Sequence, residues 1–177
     1  DLTDRPTATE TTKSVVATKA GGTTELLLTA AQQAAIENAF TITPFTTNTN
    51  NGTINWNYSI TEGYLNFLAA GENVTAVFTV TVIDNNGSTL TQDVTVNIAG
   101  TNDVPVLTAT DVAGVITEGS ALSDAGSIAF ADLDLTDRPT ATETTKSVVA
   151  TKANGTVLVL TTAQLADIEN AFTITPS

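Results

Sequence analysis

Apolar and polar residues alternate in three stretches of the chain. Ile54, Trp56, Tyr58 and Ile60 are separated by Asn55, Asn57 and Ser59; Phe78, Val80 and Val82 by Thr79 and Thr81; Val94, Val96 and Ile98 by Thr95 and Asn97. A period of two is the pattern of a strand with one buried face. Trp56, in the middle of the first stretch, is expected in the core, where a large ring buries most area. Asp84-Asn85-Asn86-Gly87 lies between the other two stretches and predicts a hairpin turn. Asn50-Asn51-Gly52 marks a turn ahead of the Trp56 strand. Thr29–Phe40, rich in Ala and Gln, predicts a helix with Thr29 as its N-cap, and Thr162–Phe172 is its counterpart. Tyr64–Ala70 reads as a single helical turn; Ala109–Glu118 and Gly126–Ala131 read as two further strands. Short strands, polar turns and small helical inserts together predict an all-β sandwich.

The second pattern is a long-range one. Residues 1–20 recur without a change at 134–153, an offset of 133, and Glu37–Pro44 recurs as Glu169–Pro176 at an offset of 132. The difference is a one-residue indel near Gly21–Glu25. Self-similarity at fixed spacing is the signature of an array. A period of this size exceeds a solenoid coil of roughly 20–45 residues and matches a whole globular domain. The best boundary is Gly100-Thr101-Asn102-Asp103-Val104-Pro105, a polar link between strand-like runs. Residues 1–103 therefore read as the later part of one repeat domain, and 104–177 as the linker end and first part of the next. The chain begins at Asp1 without an initiator Met, which reads as an excerpt of something longer.

Composition narrows the chemistry. The chain has no Cys and no His. That removes thiolate nucleophiles, zinc–thiolate sites, disulfides and the commonest general base, and with it hydrolysis by a triad of the usual form. Nineteen acidic residues against six basic ones give a net charge of −13. Such a surface repels nucleic acid and anionic membranes, and hard cations are its natural partners. No apolar run approaches the ~20 residues of a membrane-spanning helix.

The run NWNYSI, LNFLAAGE and AVFTVTVIDNNGSTLTQDVTVNIAGTNDVP, ending at Pro105, closely resembles the C-terminal half of the VCBS repeat of RTX-type bacterial adhesins. The following VITEG and GSIAFADLDLTD resemble the start of the next unit. The resemblance covers nearly the whole chain in two permuted halves, and its most specific part is Gly71–Pro105. The longer period is assigned to the Thr18–Pro44 region with its helix. The resemblance implies tandem Ig-like/cadherin-like β-sandwich repeats with small helical inserts. It also implies an extracellular, cell-surface spacer that extends a ligand-binding tip, stiffened by calcium at its junctions.

Calcium takes 6–8 oxygen ligands, so a site requires several acids or amides to converge. Asp132, Asp134 and Asp137 lie within six residues, directly after the Gly126–Ala131 strand. If that strand returns antiparallel to Val106–Glu118, they arrive beside Asn102 and Asp103. Similarity to cadherin-type linkers groups Glu72 of the preceding domain with them. The expected junction site is therefore Glu72, Asn102, Asp103, Asp132 and Asp134, with Asp137 nearby. By the repeat, Asp1 and Asp4 correspond to Asp134 and Asp137 and belong to the preceding junction together with Asp84, while Glu118 faces the following one. Thr101 replaces an acid of the fuller cadherin pattern. The bland alternative is that these Asp and Asn residues cap turns and keep a secreted protein soluble. Lys13, Lys19, Lys146 and Lys152 are expected on the solvent face of strands rather than in buried isopeptide bonds.

Three functions compete. A calcium-stiffened adhesin or filament repeat supporting adhesion or biofilm formation ranks first, and it is not an enzyme. A repeat that itself binds glycan or a surface ligand through the Thr18–Pro44 insert ranks second, because the insert offers few aromatics. A glycosidase-like carboxylate pair ranks last. Residues 1–103 lack the opening strands that 104–133 supply to their own domain. The expectation is a head-to-tail array of neighbouring repeats in which the equivalent of 104–133 from another copy fills the gap.

Overall fold

Phe78 and its alternating neighbours form the middle strand of the largest sheet. The computed structural model describes residues 5–43, 51–84 and 86–175. Two compact units divide the chain, residues 1–137 and 138–177. In the first, strand β1 (Thr7–Thr18), helix α1 (Ala30–Asn38), β2 (Phe40–Thr43), β3 (Asn55–Tyr58), β4 (Asn73–Ile83), β5 (Thr89–Ala99), β6 (Val106–Asp111) and β7 (Ser127–Ala131) follow in order. They make three antiparallel sheets: β1-β4-β5, β2-β3 and β6-β7. The described fold is mainly β, with few helical residues.

The even-numbered side chains of β4 (Val74, Ala76, Phe78 and Val80) are buried. Val94, Val96 and Ile98 of β5 pack beside them. In β1 the register shifts between Thr12 and Ser14. The extra residue, Lys13, reverses the alternation, so that Thr12, Val15 and Ala17 all lie opposite inward residues of β4. Lys13 itself points outward and forms an ion pair with Asp93 of β5. The Lys13 ammonium first, and the Thr79 hydroxyl second, hold the Asp93 carboxyl below the usual carboxylate range. Phe40 covers Phe78 with rings 4.3 Å apart and nearly parallel, and Ile36, Phe67 and Leu68 complete the cover.

The local signals read from the sequence are realised closely. Asp84 and Ser88 close the β4–β5 hairpin, with the Asp84 N–H donating to the Ser88 carbonyl and Gly87 at φ +87°. Asn85 and Asn50 of the two expected turns lie outside the described residues. The Thr29 side chain caps α1 through a reciprocal box with Gln32, as expected of a Thr-x-x-Gln start.

Some expectations are corrected. Trp56 is 53 % exposed rather than buried. It pairs with Ile42 in a sheet of only two strands and stacks on Phe40 at 5.9 Å, so one side of its ring remains in solvent. The expected strand Ala109–Glu118 is β6, which begins at Val106 and ends at Asp111; beyond it only a bridge between Thr117 and Ala121 forms. The expected turn at Tyr64–Ala70 starts earlier, as a 3-10 turn over Glu62–Tyr64, and continues in a turn closed by the Leu68 N–H donating to the Leu65 carbonyl.

The second unit contains helix α2 (Thr162–Asn170), capped by Thr161 and Gln164 as α1 is by Thr29 and Gln32. Residues 140–151 have the sequence of β1 but form no strand. Lys146 and Lys152 thus lie in irregular backbone, against expectation. The turn that follows is nonetheless reproduced. Lys19 N–H to Thr24 and Leu26 N–H to Ala17 in one unit match Lys152 N–H to Thr156 and Leu158 N–H to Ala150 in the other.

Candidate metal site

The candidate site lies at the end of the main sheet where β4 begins and β5 ends, and it is built on a close backbone crossing. The Gly100 N–H donates to the Glu72 carbonyl at 2.8 Å. A Cβ at Gly100 would run into the carbonyl oxygens of Ala69 and Leu68, so only glycine fits. Gly100→Ala is expected to cost about 2 kcal/mol in urea unfolding, as overpacking of backbone does. An unchanged midpoint would show that the crossing relaxes freely.

This crossing buries Glu72, which is only 1 % exposed. Both of its carboxylate oxygens are satisfied: Oε2 accepts from the Ala69 N–H at 3.0 Å, and Oε1 from the Thr136 hydroxyl at 2.8 Å. A buried carboxylate is tolerated only with such partners. The Leu135 N–H donates to the Phe67 carbonyl, so the segment after β7 is fastened to the loop that carries Glu72.

That fastening positions the acids. Carboxylate oxygens of Asp132, Asp134 and Asp137 lie within 4.8 Å of one another. Asp132 Oδ1 accepts from the Asp134 N–H at 3.1 Å, an Asx turn that directs the next acid inward. The Asp134 carboxylate is 3 % exposed. Its Oδ2 accepts from the Asp103 N–H at 2.9 Å, while its Oδ1, also buried, finds no hydrogen-bond partner among the described residues. A buried anionic oxygen left in that state is costly, and a hard cation among three carboxylates would satisfy it. The three acids are a group that could hold a metal ion.

The structure uses the expected site residues in different ways. Asp132, Asp134 and Asp137 converge. Asp103 joins through its backbone N–H, and the Asn102 side-chain amide donates to the Asp103 carbonyl. Glu72 reaches the cluster through Thr136. Sequence reasoning missed Thr136, although its place inside Asp-Leu-Thr-Asp marks it. Asp84 lies beyond the opposite end of β4, where Oδ1 accepts from the Asn86 and Ser88 N–H groups. Those backbone bonds, Ser88 foremost, lower its carboxyl below the usual range. Glu118 is exposed in the connection at the far end of the β6–β7 pair. Asp1 and Asp4 lie outside the described residues.

One shallow groove runs between α1 and Ser59–Tyr64, lined mainly by Ala31, Ala34, Ala35 and Ile60, with the partly exposed Tyr64 as its one aromatic. Among the described residues, no helix is long and apolar enough to cross a membrane. No protein-family model, no curated protein and no solved structure matches the chain.

Proposed function

We propose that this chain is a structural extender repeat of an extracellular adhesin or surface filament, an Ig-like/cadherin-like sandwich array with calcium at its inter-repeat junctions. The observation that carries the metal reading is Asp134. A nearly inaccessible carboxylate oxygen without a hydrogen-bond partner lies in a group of three acids fastened by Thr136 to Glu72. Asp132, Asp134 and Asp137 would hold the ion. Its charge would offset a repulsion on the order of 3 kcal/mol per acid pair at an effective dielectric near 20. The ion would join the segment after β7 to the Asn102–Asp103 linker, so binding would stiffen the connection between residues 1–103 and those that follow.

The spacer role is supported by the 133-residue repeat, the acidic surface, the absence of Cys and His, and the likeness of Gly71–Pro105 to VCBS repeats. It involves no catalytic step. The competing reading, a glycan-binding repeat, draws among the described residues on Trp56 and Tyr64 as exposed aromatics near the insert and has less support. The test is thermal unfolding of the chain in excess calcium and then in excess chelator. A rise in melting temperature with calcium that chelation reverses is the expected result, since binding to the native state stabilises it by mass action. Identical transitions would remove the metal from the proposal.

A further inference from the structure

We propose that Glu72 is a positioning residue for the Asp132–Asp137 group: it sets the affinity for a metal by holding Thr136, and it is not a ligand. This role rests on the metal reading of Asp132, Asp134 and Asp137. The junction site expected from the sequence includes Glu72 among the ligands, but its hydrogen bonds give it another task. The acids whose carboxylate oxygens lie within 4.8 Å of one another are Asp132, Asp134 and Asp137. Glu72 is 1 % exposed, with one oxygen on the Ala69 N–H and the other on the Thr136 hydroxyl. Turning it towards an ion would break both bonds. The Ala69 N–H would then be left buried without its acceptor, which is costly, and Thr136 would be released.

Glu72 is a firm point of attachment because its turn belongs to the core. Its N–H donates to the Ala69 carbonyl at 3.0 Å while its side chain accepts from the Ala69 N–H at 3.0 Å, so the turn is closed twice. Phe67 and Leu68, which lead into that turn, are buried with Phe78 in the hydrophobic core. On the other side, Thr136 lies between Asp134 and Asp137 in a tight turn, closed by the Asp137 N–H donating to the Asp134 carbonyl at 3.2 Å. Its neighbour Leu135 donates to the Phe67 carbonyl at 3.2 Å. Holding Thr136 thus fixes the spacing of two of the three acids, and Asp134 Oδ1 stays buried without a hydrogen-bond partner. Without the anchor the three like charges would relax apart, and binding would have to gather them again. Groups that orient metal ligands from outside typically change affinity by about 10–100-fold when they are lost.

Calcium titration calorimetry, at a temperature where circular dichroism shows each variant folded, tests this role. Thr136→Val removes the hydroxyl at nearly constant shape and is expected to raise the calcium Kd by about 10–100-fold. Thr136→Ser restores the donor and should return the Kd close to that of the parent. Glu72→Gln separates an anchor from a ligand. Its amide oxygen can accept from the Ala69 N–H while its nitrogen donates to the Thr136 oxygen, so the tie survives without the charge. That variant should bind within a few-fold of the parent. Should Thr136→Val fail to fold, the Ala69 amide proton of the parent chain reports the same distinction by NMR. With calcium added it should keep its hydrogen-bonded position; a move upfield would mean that Glu72 had left it for the ion. Such a move, a Glu72→Gln chain that binds no better than Asp134→Asn, or a Thr136→Val chain with the parent's Kd would overturn the role given to Glu72 and leave the metal reading standing. A parent chain that takes up no calcium would overturn the metal reading, and this role with it.

Discussion

Phe78→Ala is expected to destabilise the chain by about 3–5 kcal/mol, a large share of the roughly 5–15 kcal/mol that holds a typical domain. The ring is fully buried on the middle strand of the main sheet. It is stacked on Phe40 at 4.3 Å and tilted against Tyr58 at 6.1 Å. Hydrogen bonding to β1 and β5 on both sides fixes its backbone, so the strand cannot collapse into the space left. Phe40 would lose its parallel neighbour. Tyr58, whose hydroxyl donates to the Ile36 carbonyl and whose pKa burial pushes up, would be loosened with it. Phe130 is the control. It lies on β7 opposite Leu107, both rather exposed, and Phe130→Ala is expected to cost less than about 1 kcal/mol. Urea midpoints of the two variants decide the matter. Equal losses would mean that the core does not centre on the β4 ring.

The contrast between these two phenylalanines shows what is legible in the sequence. Features set by a few neighbouring residues are readable: the alternation around Phe78, the Asp-Asn-Asn-Gly turn, and the Thr-x-x-Gln caps at both helices. Features set by distant partners are not. Residues 7–18 and 140–151 cannot be told apart by any local rule, yet only the first is a strand, because only it has β4 beside it. Trp56 follows the same alternation as Phe78 but belongs to a pair of strands too narrow to enclose it. The Lys13 bulge leaves no mark in composition, and it is what returns Val15 and Ala17 to the inner side.

The candidate site divides along the same line. The density of acid in Asp132–Asp137 and its return to Asn102–Asp103 follow from chain direction and strand pairing. The part taken by Glu72 does not. The likeness to cadherin-type linkers groups it with the junction acids, and in the structure its two oxygens accept from the Ala69 N–H and the Thr136 hydroxyl. A carboxylate that ties two backbone segments together and one that awaits a cation look alike in a sequence. They differ in their hydrogen bonds, which depend on the tight Gly100 crossing.

That distinction leads to an effect of opposite sign in two buffers. With calcium at about a thousand times its Kd, the parent chain should gain about 4 kcal/mol. At about 2–4 °C per kcal/mol for a chain of this size, its melting temperature should rise by about 8–16 °C. Asp134→Asn should lose most of that gain, because it removes the charge of the most buried acid in the group. In chelator the order should reverse, with the variant melting at or above the parent. The substituted amide still offers an oxygen to the Asp103 N–H, its nitrogen can donate towards Asp132 or Asp137, and two of the three like-charge pairs disappear. Asp84→Asn, at the other end of β4, should leave the calcium response intact, since its carboxylate serves the hairpin turn. A variant at Asp134 that is weaker in both buffers would assign the group a purely structural role. One that crosses over would identify it as a site held under electrostatic strain until a cation arrives, which is how a junction becomes stiff only where calcium is abundant.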